Sequence, residues 1–329
     1  MSYWSEKVKI KNLEFPRFMG GPLDGVTDSP FRKLVRKFSK QELLYTEMRH
    51  VACVANLSKC SRKTKQLHIK RTIGFDQMER PLNFQFAANK VEFIDKACDL
   101  VLEKGVDVVD LNVGCPARNV VASASGSALM GDVPQLKKLL LHFRQKLENI
   151  PFTIKIRAGF KKENALEVAK LAQDCGVDAL AIHPRLQTQK FQGIPDYNLA
   201  AQVKKELNIP VIFSGGVVDF RSAKMVYEYT GVDGYLIGRG LWSRPWKLKE
   251  LFEHSQGREF IIDKKTIVEC ALEHLDNIID FYGEKGVYCF RKHVPFYLRG
   301  IHSSSTLKNL VFSTTSVEEI KDGFIKFFS

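Results

Sequence analysis

The segment "FTIKIRAGFKKENALEVAKLAQDCGVDALAIHP", residues 152–184, contains two short apolar runs separated by an amphipathic stretch. The runs "FTIKIRAG" and "DALAIHP" have the length and apolar content of buried strands. Between them, "ENALEVAKLAQDCG" places apolar residues three and four apart and ends on a glycine, as an amphipathic helix does. This order predicts a βαβ unit with two parallel strands.

The same alternation extends from about residue 15 to residue 252 and gives eight strand candidates. They are "FPRFMGGP", "ELLYTE", "PLNFQFA", "DVVDLNVG", "FTIKIRAG", "DALAIHP", "IPVIFSGG" and "VDGYLIGRG". Eight βα units close into a (β/α)8 TIM barrel. The alternative is an open doubly wound sheet, which usually carries GxGxxG after its first strand, and the sequence contains no such motif.

The alternation stops after Trp246, and three helical patterns follow. They are "KKTIVECALEHLDNIIDFYG", "VYCFRKHVPFYLRGI" and "SVEEIKDGFIKFF". The sequence therefore predicts an α/β barrel domain over residues 1–252 and a small C-terminal all-helical domain over residues 253–329.

The charge balance favours an anionic partner. Lys and Arg outnumber Asp and Glu by 50 to 37, and nucleic acid is the commonest partner of such a protein. Residues 253–329 hold 10 basic and 11 acidic side chains, so the surplus lies on the barrel. Its densest segment is "KCSRKTKQLHIKR", residues 59–71, which is interpreted either as a nucleic-acid-binding loop containing Lys63 and Lys65 or as a solvated loop.

The number and spacing of the cysteines, together with the hydropathy of the sequence, indicate the cellular compartment of the protein. The seven cysteines are odd in number, scattered and without metal-binding spacing, so we expect reduced thiols in a cytoplasm and no metal. The N-terminal segment lacks the apolar centre of a signal peptide, and no later segment approaches the roughly 18 apolar residues of a membrane span. We expect a cytoplasmic monomer that does not enter membranes.

Barrel enzymes build their active sites at the C-terminal ends of the strands. In this sequence polar residues lie at or near these strand ends. They are Gln85, Asn112 to Cys115, Lys155, Arg157, His183 and Arg185. The seventh and eighth strands end in Ser214-Gly215-Gly216 and Gly238-Arg239-Gly240, and such glycine turns let backbone amides approach a phosphate. Lys155 and Arg157 are two residues apart on one strand, so both point to the same face and need anionic company.

The stretch "DLNVGCPAR", residues 110–118, changes from a strand to a turn at Gly114 and Pro116. The thiol of Cys115 should therefore project from a loop over the barrel mouth, where it could donate a proton to a substrate.

The sequence resembles the flavin-dependent tRNA-dihydrouridine synthases over nearly its whole length. The matching motifs are "GPLDGVTDSPFR", "LNVGCPAR", "SGSALM", "IKIRAG", "IHPRLQTQKFQG", "IPVIFSGGV", "GVDGYLIGRGLWSRPW" and "RKHVPFYLRG". The resemblance implies a barrel that holds FMN, a helical domain that helps bind tRNA, and NADPH as electron donor. It also implies reduction of the C5=C6 bond of particular uridines, with hydride passing from flavin N5 to C6 and a proton passing from Cys115 to C5.

The resemblance further assigns roles by position. It places flavin contacts at Pro22, Leu23, Gln85, Lys155 and His183, a further cofactor contact at Ser214, and phosphate contacts at Gly215, Gly216, Gly238 and Arg239. It places the target uracil against Asn112, flavin or RNA against Arg157 and Arg185, and RNA against Arg118, Arg291 and Lys292. The sequence departs from the family pattern at Leu23, Ser214, Pro184 and Arg118, which leaves the subfamily and the RNA target open.

Three other functions remain open. A flavin barrel acting on a free pyrimidine or dihydroorotate would share the phosphate loops and the proton-transfer residue, but it would not explain the helical tail or the positive charge. A dihydrouridine synthase acting on ribosomal RNA is the second alternative. A non-catalytic RNA-binding relative is the third, and the presence of Cys115, Lys155 and His183 argues against it.

Overall fold

The computed structural model describes residues 3–59 and 61–328, without the side chains of residues 58, 62 and 63. Its strands are β1 (Lys7–Ile10), β2 (Leu13–Pro16), β3 (Phe18–Gly20), β4 (Leu44–Tyr45), β5 (Arg49–His50), β6 (Leu82–Ala87), β7 (Val108–Val113), β8 (Phe152–Gly159), β9 (Ala179–Leu186), β10 (Val211–Ser214) and β11 (Gly234–Ile237). Each of the eight predicted strands coincides with one of β3, β4 and β6 to β11, and β9 continues two residues beyond the prediction, to Leu186.

These eight strands form a closed parallel barrel. The sheet runs β4-β3-β11-β10-β9-β8-β7-β6, and an additional pairing of β4 with β6 closes the ring. All pairings around the ring are parallel, so the strands end at one common mouth. The TIM-barrel prediction is confirmed, and the short strand β5 is an addition beside β6.

An antiparallel hairpin of β1 and β2 covers the opposite end of the barrel. Val8, Ile10 and Phe15 of this hairpin are buried in one apolar cluster with barrel residues such as Met19 and Ile212. Burying large apolar side chains stabilises the fold by about 1.5–3 kcal/mol each. The hairpin therefore packs against the end of the barrel opposite the mouth.

Helices surround the barrel and continue beyond it. They are α1 (Ser29–Arg36), α2 (Val51–Ala55), α3 (Arg62–Ile73), α4 (Ile94–Leu102), α5 (Arg118–Ala122), α6 (Val133–Leu147), α7 (Ala165–Asp174), α8 (Tyr197–Glu206), α9 (Phe220–Thr230), α10 (Lys247–Ser255), α11 (Lys264–Tyr282), α12 (Val287–Arg291), α13 (Val294–Tyr297), α14 (Ser305–Ser313) and α15 (Val317–Phe328). No helix within the described part of the chain is long and apolar enough to cross a membrane.

The C-terminal helices differ in part from the sequence prediction. The second predicted helix is two short helices, α12 and α13, because Pro295 lies in the first turn of α13 and cannot continue a preceding helix. Helix α14 was not predicted. These helices share their own apolar core, to which Leu34 and Trp246 of the barrel domain also belong. The predicted domain boundary at residue 252 lies within α10 and stays a prediction.

The basic segment at residues 59–71 is mostly helix α3 rather than the predicted loop. Its last two cations contact the end of α11: Lys70 donates to the carbonyl of Asp280 at 3.1 Å, and Arg71 donates to that of Tyr282 at 2.9 Å. Cations at a helix C-terminus interact favourably with its last carbonyls. These two side chains therefore connect the barrel to the helical tail.

Two buried histidines also lie where the barrel meets the helical tail. The hydroxyl of Ser243 is hydrogen-bonded to Nδ1 of His293 at 2.9 Å, and that of Tyr297 is hydrogen-bonded to Nδ1 of His274 at 3.1 Å. The two imidazole rings are 4.4 Å apart. Burial lowers the pKa of His274 to about 3 and that of His293 well below its ordinary value, so both rings are neutral at pH 7.

We expect the contribution of these two imidazoles to the free energy of unfolding to fall as the pH decreases below about 6.5, the ordinary pKa of histidine. The unfolded chain then binds protons that the buried imidazoles cannot accept, and each ring contributes a slope of up to about 1.4 kcal/mol per pH unit. Urea unfolding at pH 7.5, 6.5 and 5.5 measures this slope. His274→Asn should reduce it by about one proton, and an unchanged slope in this variant would refute the explanation.

Candidate functional site

A cavity of about 470 Å³ opens at the barrel mouth, between the loops that follow β3, β9, β10 and β11. It is lined by Gly21, Pro22, Leu23, Lys155, His183, Phe191, Ser214, Gly215, Gly216, Val217, Val218, Leu236, Gly238, Arg239, Gly240, Trp242, Arg244, Phe296 and Arg299. Its volume is typical of a small-molecule or cofactor site. All of the predicted cofactor residues except Gln85 line this cavity.

One end of the cavity is a cradle of backbone groups at the ends of β10 and β11. Gly215 and Gly216 have φ angles of +115° and +78°, which residues with a side chain rarely adopt. A Cβ atom at Gly215 would lie 2.8 Å from Cδ2 and 2.9 Å from Nε2 of His183. Glycine is therefore required here both for its backbone conformation and for the close approach of the histidine.

Lys155 brings an unneutralised positive charge into the cavity. It has no hydrogen bond or ion pair within residues 3–59 and 61–328, while Arg157 and Asp110 lie near enough to affect its charge. Burial, reinforced by Arg157, lowers the pKa of Lys155 to about 8, so the ammonium group is still mostly charged at pH 7. A buried cation requires a negative or strongly polar partner, which a ligand in this cavity can supply.

His183 is neutral and has a defined tautomer. Burial and the surrounding cations lower its pKa to about 2. The guanidinium of Arg185 lies 2.9 Å from Nε2, and because arginine can only donate, Nε2 accepts and Nδ1 carries the hydrogen. Arg185 also donates to the carbonyl of Gly193 at 2.7 Å. Arg185 is thus buried behind the histidine and does not line the cavity.

Arg157 does not line the cavity either. It is 2% exposed and donates to the carbonyls of Gly114 at 2.7 Å and Lys190 at 2.7 Å. These bonds connect the loop after β7 to the loop after β9. Burial lowers its pKa to about 10, so it remains a cation. The structure therefore supports a role for Arg157 in holding two loops of the mouth together.

The loop that carries Cys115 is fixed on both sides of the thiol. Oδ1 of Asn112 accepts hydrogen bonds from the backbone N–H of Gly114 at 3.1 Å and of Cys115 at 2.8 Å. The carbonyl of Cys115 accepts from both the backbone and the hydroxyl of Ser127, at 3.1 and 2.8 Å. The thiol is half-buried, and burial raises its pKa, so it is protonated at neutral pH.

Cys115 lies beside the cavity and is not part of its lining. Asn112 pairs in register with Lys155 on the adjacent strand, so the thiol loop begins next to the buried ammonium group. Gln85 is buried and donates to Asp110 at 2.8 Å, so its amide nitrogen is already bonded within the protein. The placement of Gln85 against a cofactor stays a prediction.

The predicted RNA contacts are in different environments. Arg118 is exposed at the start of α5, directly after the thiol loop, and Lys65 is half-buried on α3. Nζ of Lys292 lies 3.3 Å from the position of a Cβ at Gly25, in a loop of the barrel mouth. Arg291 instead donates to two carbonyls of the helical tail. The side chain of Lys63 lies outside the described residues.

Several cavity residues were not singled out from the sequence. Trp242 and Phe296 stack with ring centroids 4.2 Å apart, and Arg244 and Arg299 also line the cavity. Phe191 contacts Arg239, whose guanidinium carbon is 5.1 Å from the ring centroid. The tryptophan and Arg244 lie in "GRGLWSRPW", so their position directly after a strand end was the available signal.

The described residues hold no group of three or more His, Cys, Asp or Glu that is placed to bind a metal ion. The fold and this site define a barrel protein with a cationic cavity and a protonated thiol at its mouth.

Comparison with known proteins identifies the family. The family described as dihydrouridine synthase (Dus) matches residues 19–327, and the chain belongs to it. The chain is 31% identical over 308 residues to tRNA-dihydrouridine synthase B of Pasteurella multocida, covering 92% of this chain and 90% of that protein. It is 34% identical over 297 residues to the Pseudomonas aeruginosa protein of the same name, covering 88% and 86%.

Solved structures support the fold. An old yellow enzyme homologue from Zymomonas mobilis aligns with a TM-score of 0.56 at 11% identity, covering 77% of this chain and 93% of that chain. At this identity the similarity concerns the barrel alone.

Proposed function

We propose that this protein is a tRNA-dihydrouridine synthase, an oxidoreductase that reduces the C5=C6 bond of uridines in tRNA. The observation that carries the proposal is the position of the Cys115 thiol, held by Asn112 at the same barrel mouth as the cationic cavity. Family membership supports it, because the relatives compared above carry that name.

The residues of the cavity fit FMN. Gly215 and Gly216 open the cradle that would hold its phosphate, and Arg239 adds a positive charge there. Lys155 would lie against the isoalloxazine ring or the ribityl chain, where a cation stabilises the reduced form. Nδ1–H of His183 offers a further donor. Bound in this cavity, the flavin would supply hydride to C6 of uracil, with NADPH as electron donor.

Cys115 would act as the general acid. Negative charge that develops on C5 and O4 of uracil must be neutralised by a proton from the opposite face of the ring. Burial keeps the thiol protonated, and the bonds from Asn112 and Ser127 hold its backbone in place. Asn112 would bind the base itself.

The positive charge around the mouth would bind the tRNA backbone. A target base within folded RNA must leave its stack, at a cost of a few kcal/mol that phosphate contacts offset. Arg118 and Lys292 are cations next to the mouth, and Arg299 adds another from the helical tail. We propose a cytoplasmic protein that works as a monomer.

Lys65 tests the contribution of helix α3 to RNA binding. If Lys65 binds a phosphate, Lys65→Ala will weaken tRNA binding uniformly across sequences and reduce the slope of log K against log salt by about 1. Binding titrations between 50 and 200 mM salt measure this slope.

The matched control is Lys9→Ala. Lys9 is exposed on the hairpin that covers the other end of the barrel, and its replacement should leave the slope unchanged. Equal slopes in Lys65→Ala and the wild type would show that α3 is only a solvated surface.

The function itself is tested by mass spectrometry of RNA incubated with the purified flavin-loaded protein and NADPH. We expect a mass gain of about 2 Da at uridines of unmodified tRNA, from the two hydrogens added. Reduction of free uridine monophosphate or oxidation of dihydroorotate without activity on tRNA would support the free-pyrimidine alternative. Modification of ribosomal RNA alone would replace tRNA as substrate, and NADH in place of NADPH tests the donor.

A further inference from the structure

A chain of buried hydrogen bonds links Asp110, inside the barrel, to the backbone of the thiol loop. Oδ2 of Asp110 accepts from Nε2 of Gln85 at 2.8 Å, and Oε1 of Gln85 accepts from Nδ2 of Asn112 at 2.8 Å. Oδ1 of Asn112 then accepts from the N–H groups of Gly114 and Cys115, at 3.1 and 2.8 Å. Three side chains on two neighbouring strands, β6 and β7, are thus connected in series.

The backbone N–H groups of Gly114 and Cys115, at the outer end of this hydrogen-bond series, determine which atom donates in every bond. A backbone N–H can only donate, so the oxygen of the Asn112 amide must face Gly114 and Cys115. The nitrogen of that amide therefore points to Gln85, which must present its oxygen. The nitrogen of Gln85 consequently points to Asp110, and only an acceptor at that position completes the chain.

The inner end of the chain is a carboxyl group with no exposure to solvent. The hydroxyl of Thr153 donates to its Oδ1 at 2.6 Å, and Asp110 has no salt bridge within the described part of the protein. Burying a carboxyl group costs stability unless its oxygens accept hydrogen bonds. Both carboxyl oxygens of Asp110 accept a hydrogen bond. The bond that Oδ2 accepts determines the orientation of the Gln85 amide.

The chain also determines what Asn112 offers to a substrate. Its oxygen accepts two backbone hydrogen bonds, and one of its two amide hydrogens is bonded to Gln85. One N–H remains, so Asn112 is a donor without a free acceptor. Uracil presents carbonyl oxygens on both sides of N3 and so provides the acceptor that this N–H requires.

We propose that Asp110 is a positioning residue of this site: through Gln85 it orients the Asn112 amide toward the substrate base and holds the backbone of Cys115. The inference rests on the proposed dihydrouridine synthase activity. It adds a residue that touches neither the base nor the thiol and whose effect reaches both through the Gln85 amide.

Two substitutions at Asp110 separate orientation from charge. Asp110→Asn can still accept from Gln85 through its amide oxygen while its nitrogen faces the Thr153 hydroxyl, so the chain keeps its direction. Asp110→Leu offers no acceptor, and the Gln85 amide is left free to turn. Asp110→Val breaks the same bond with a smaller, β-branched side chain and replaces the leucine variant if that does not fold.

Thr153→Val is the matched control. It removes the other hydrogen bond to Asp110 and leaves Gln85, Asn112 and Cys115 connected. It should lower stability without altering the orientation of the amides. A variant that merely disturbs the barrel interior would behave like Thr153→Val.

The experiment measures kcat and KM for dihydrouridine formation on tRNA with each flavin-loaded variant. We expect Asp110→Leu to lower kcat about 10- to 100-fold with little change in KM, because distant phosphate contacts dominate tRNA binding. Asp110→Asn should recover most of kcat, and Thr153→Val should match the wild type. Wild-type kcat in both Asp110→Leu and Asp110→Val, or an Asp110→Asn variant as slow as Asp110→Leu, would overturn the proposal.

Hydrogen exchange gives a readout that needs no RNA. In Asp110→Leu the amides of Gly114 and Cys115 should lose protection while the opposite side of the barrel, for example β10, keeps it; unchanged protection of both amides would overturn the proposal. Failure of the proposed function looks different, because the wild-type protein would then form no dihydrouridine while the exchange result could still be obtained.

Discussion

Replacing Cys115 by alanine is expected to lower the rate of dihydrouridine formation by about 10²-fold or more, the usual contribution of a positioned general acid. Burial raises the pKa of this thiol and so keeps it protonated, and its loop is fixed by Asn112 and Ser127. The substitution removes a proton source and little binding surface. Single-turnover formation of dihydrouridine, with flavin content and tRNA affinity measured in parallel, checks the expectation.

The matched control is Cys53→Ala. Cys53 is an exposed free thiol on helix α2, outside the cavity and the thiol loop, and its loss should leave the rate unchanged. A Cys115→Ala variant that forms dihydrouridine at the wild-type rate would show that another group, or water, delivers the proton.

Gly215→Ala is expected to weaken flavin binding by about tenfold or more, since a misplaced cradle loses several hydrogen bonds of about 1.5–3 kcal/mol to a charged group. Gly215 has a φ of +115°, and a methyl group there would lie within 2.9 Å of the His183 ring and 3.2 Å from the Arg185 guanidinium. The backbone at Gly215 must shift, and its amides then leave the positions from which they would bind the phosphate. Fluorescence titration of the apoprotein with FMN measures the change.

Gly231→Ala separates the clash from the backbone strain. Gly231 ends helix α9 with a φ of +66°, and no atom of the residues that the structure describes lies within 4 Å of the position of its Cβ. Alanine at Gly231 has an unfavourable left-handed conformation, at roughly 1–2 kcal/mol, and meets no neighbour, whereas alanine at Gly215 has an unfavourable φ and also meets His183 and Arg185. Equal flavin affinity in the two variants would contradict the assignment of the cradle.

The barrel could be predicted from the sequence because its signal is repeated. Each βα unit consists of an apolar run followed by a stretch with helical periodicity. A wrong assignment of one unit therefore leaves the assignment of the other units unchanged. The elements that were missed depend on tertiary contacts. Helix α14 is short, and the break between α12 and α13 coincides with Pro295 in the first turn of α13.

The part of the candidate site that could be predicted is the part that barrel topology determines, because a barrel brings the C-terminal ends of its strands to one mouth. Lys155, His183 and the Gly215 loop meet in one cavity for this reason. The sequence could not show which side chains are already bonded within the protein. Arg157 and Arg291 donate to backbone carbonyls, and Gln85 donates to Asp110. These contacts depend on the distances between residues that are far apart in the sequence, and no local sequence pattern reports such distances.

The central claim is that a flavin in the mouth cavity and the thiol of Cys115 act on the same base. Anaerobic mixing of the reduced, flavin-loaded protein with unmodified tRNA tests it most directly. We expect the absorbance of oxidised flavin to return as dihydrouridine forms, one per protein, with no other reductant present. A protein that retains no flavin in this cavity, or one whose flavin stays reduced in the presence of tRNA, would contradict the account.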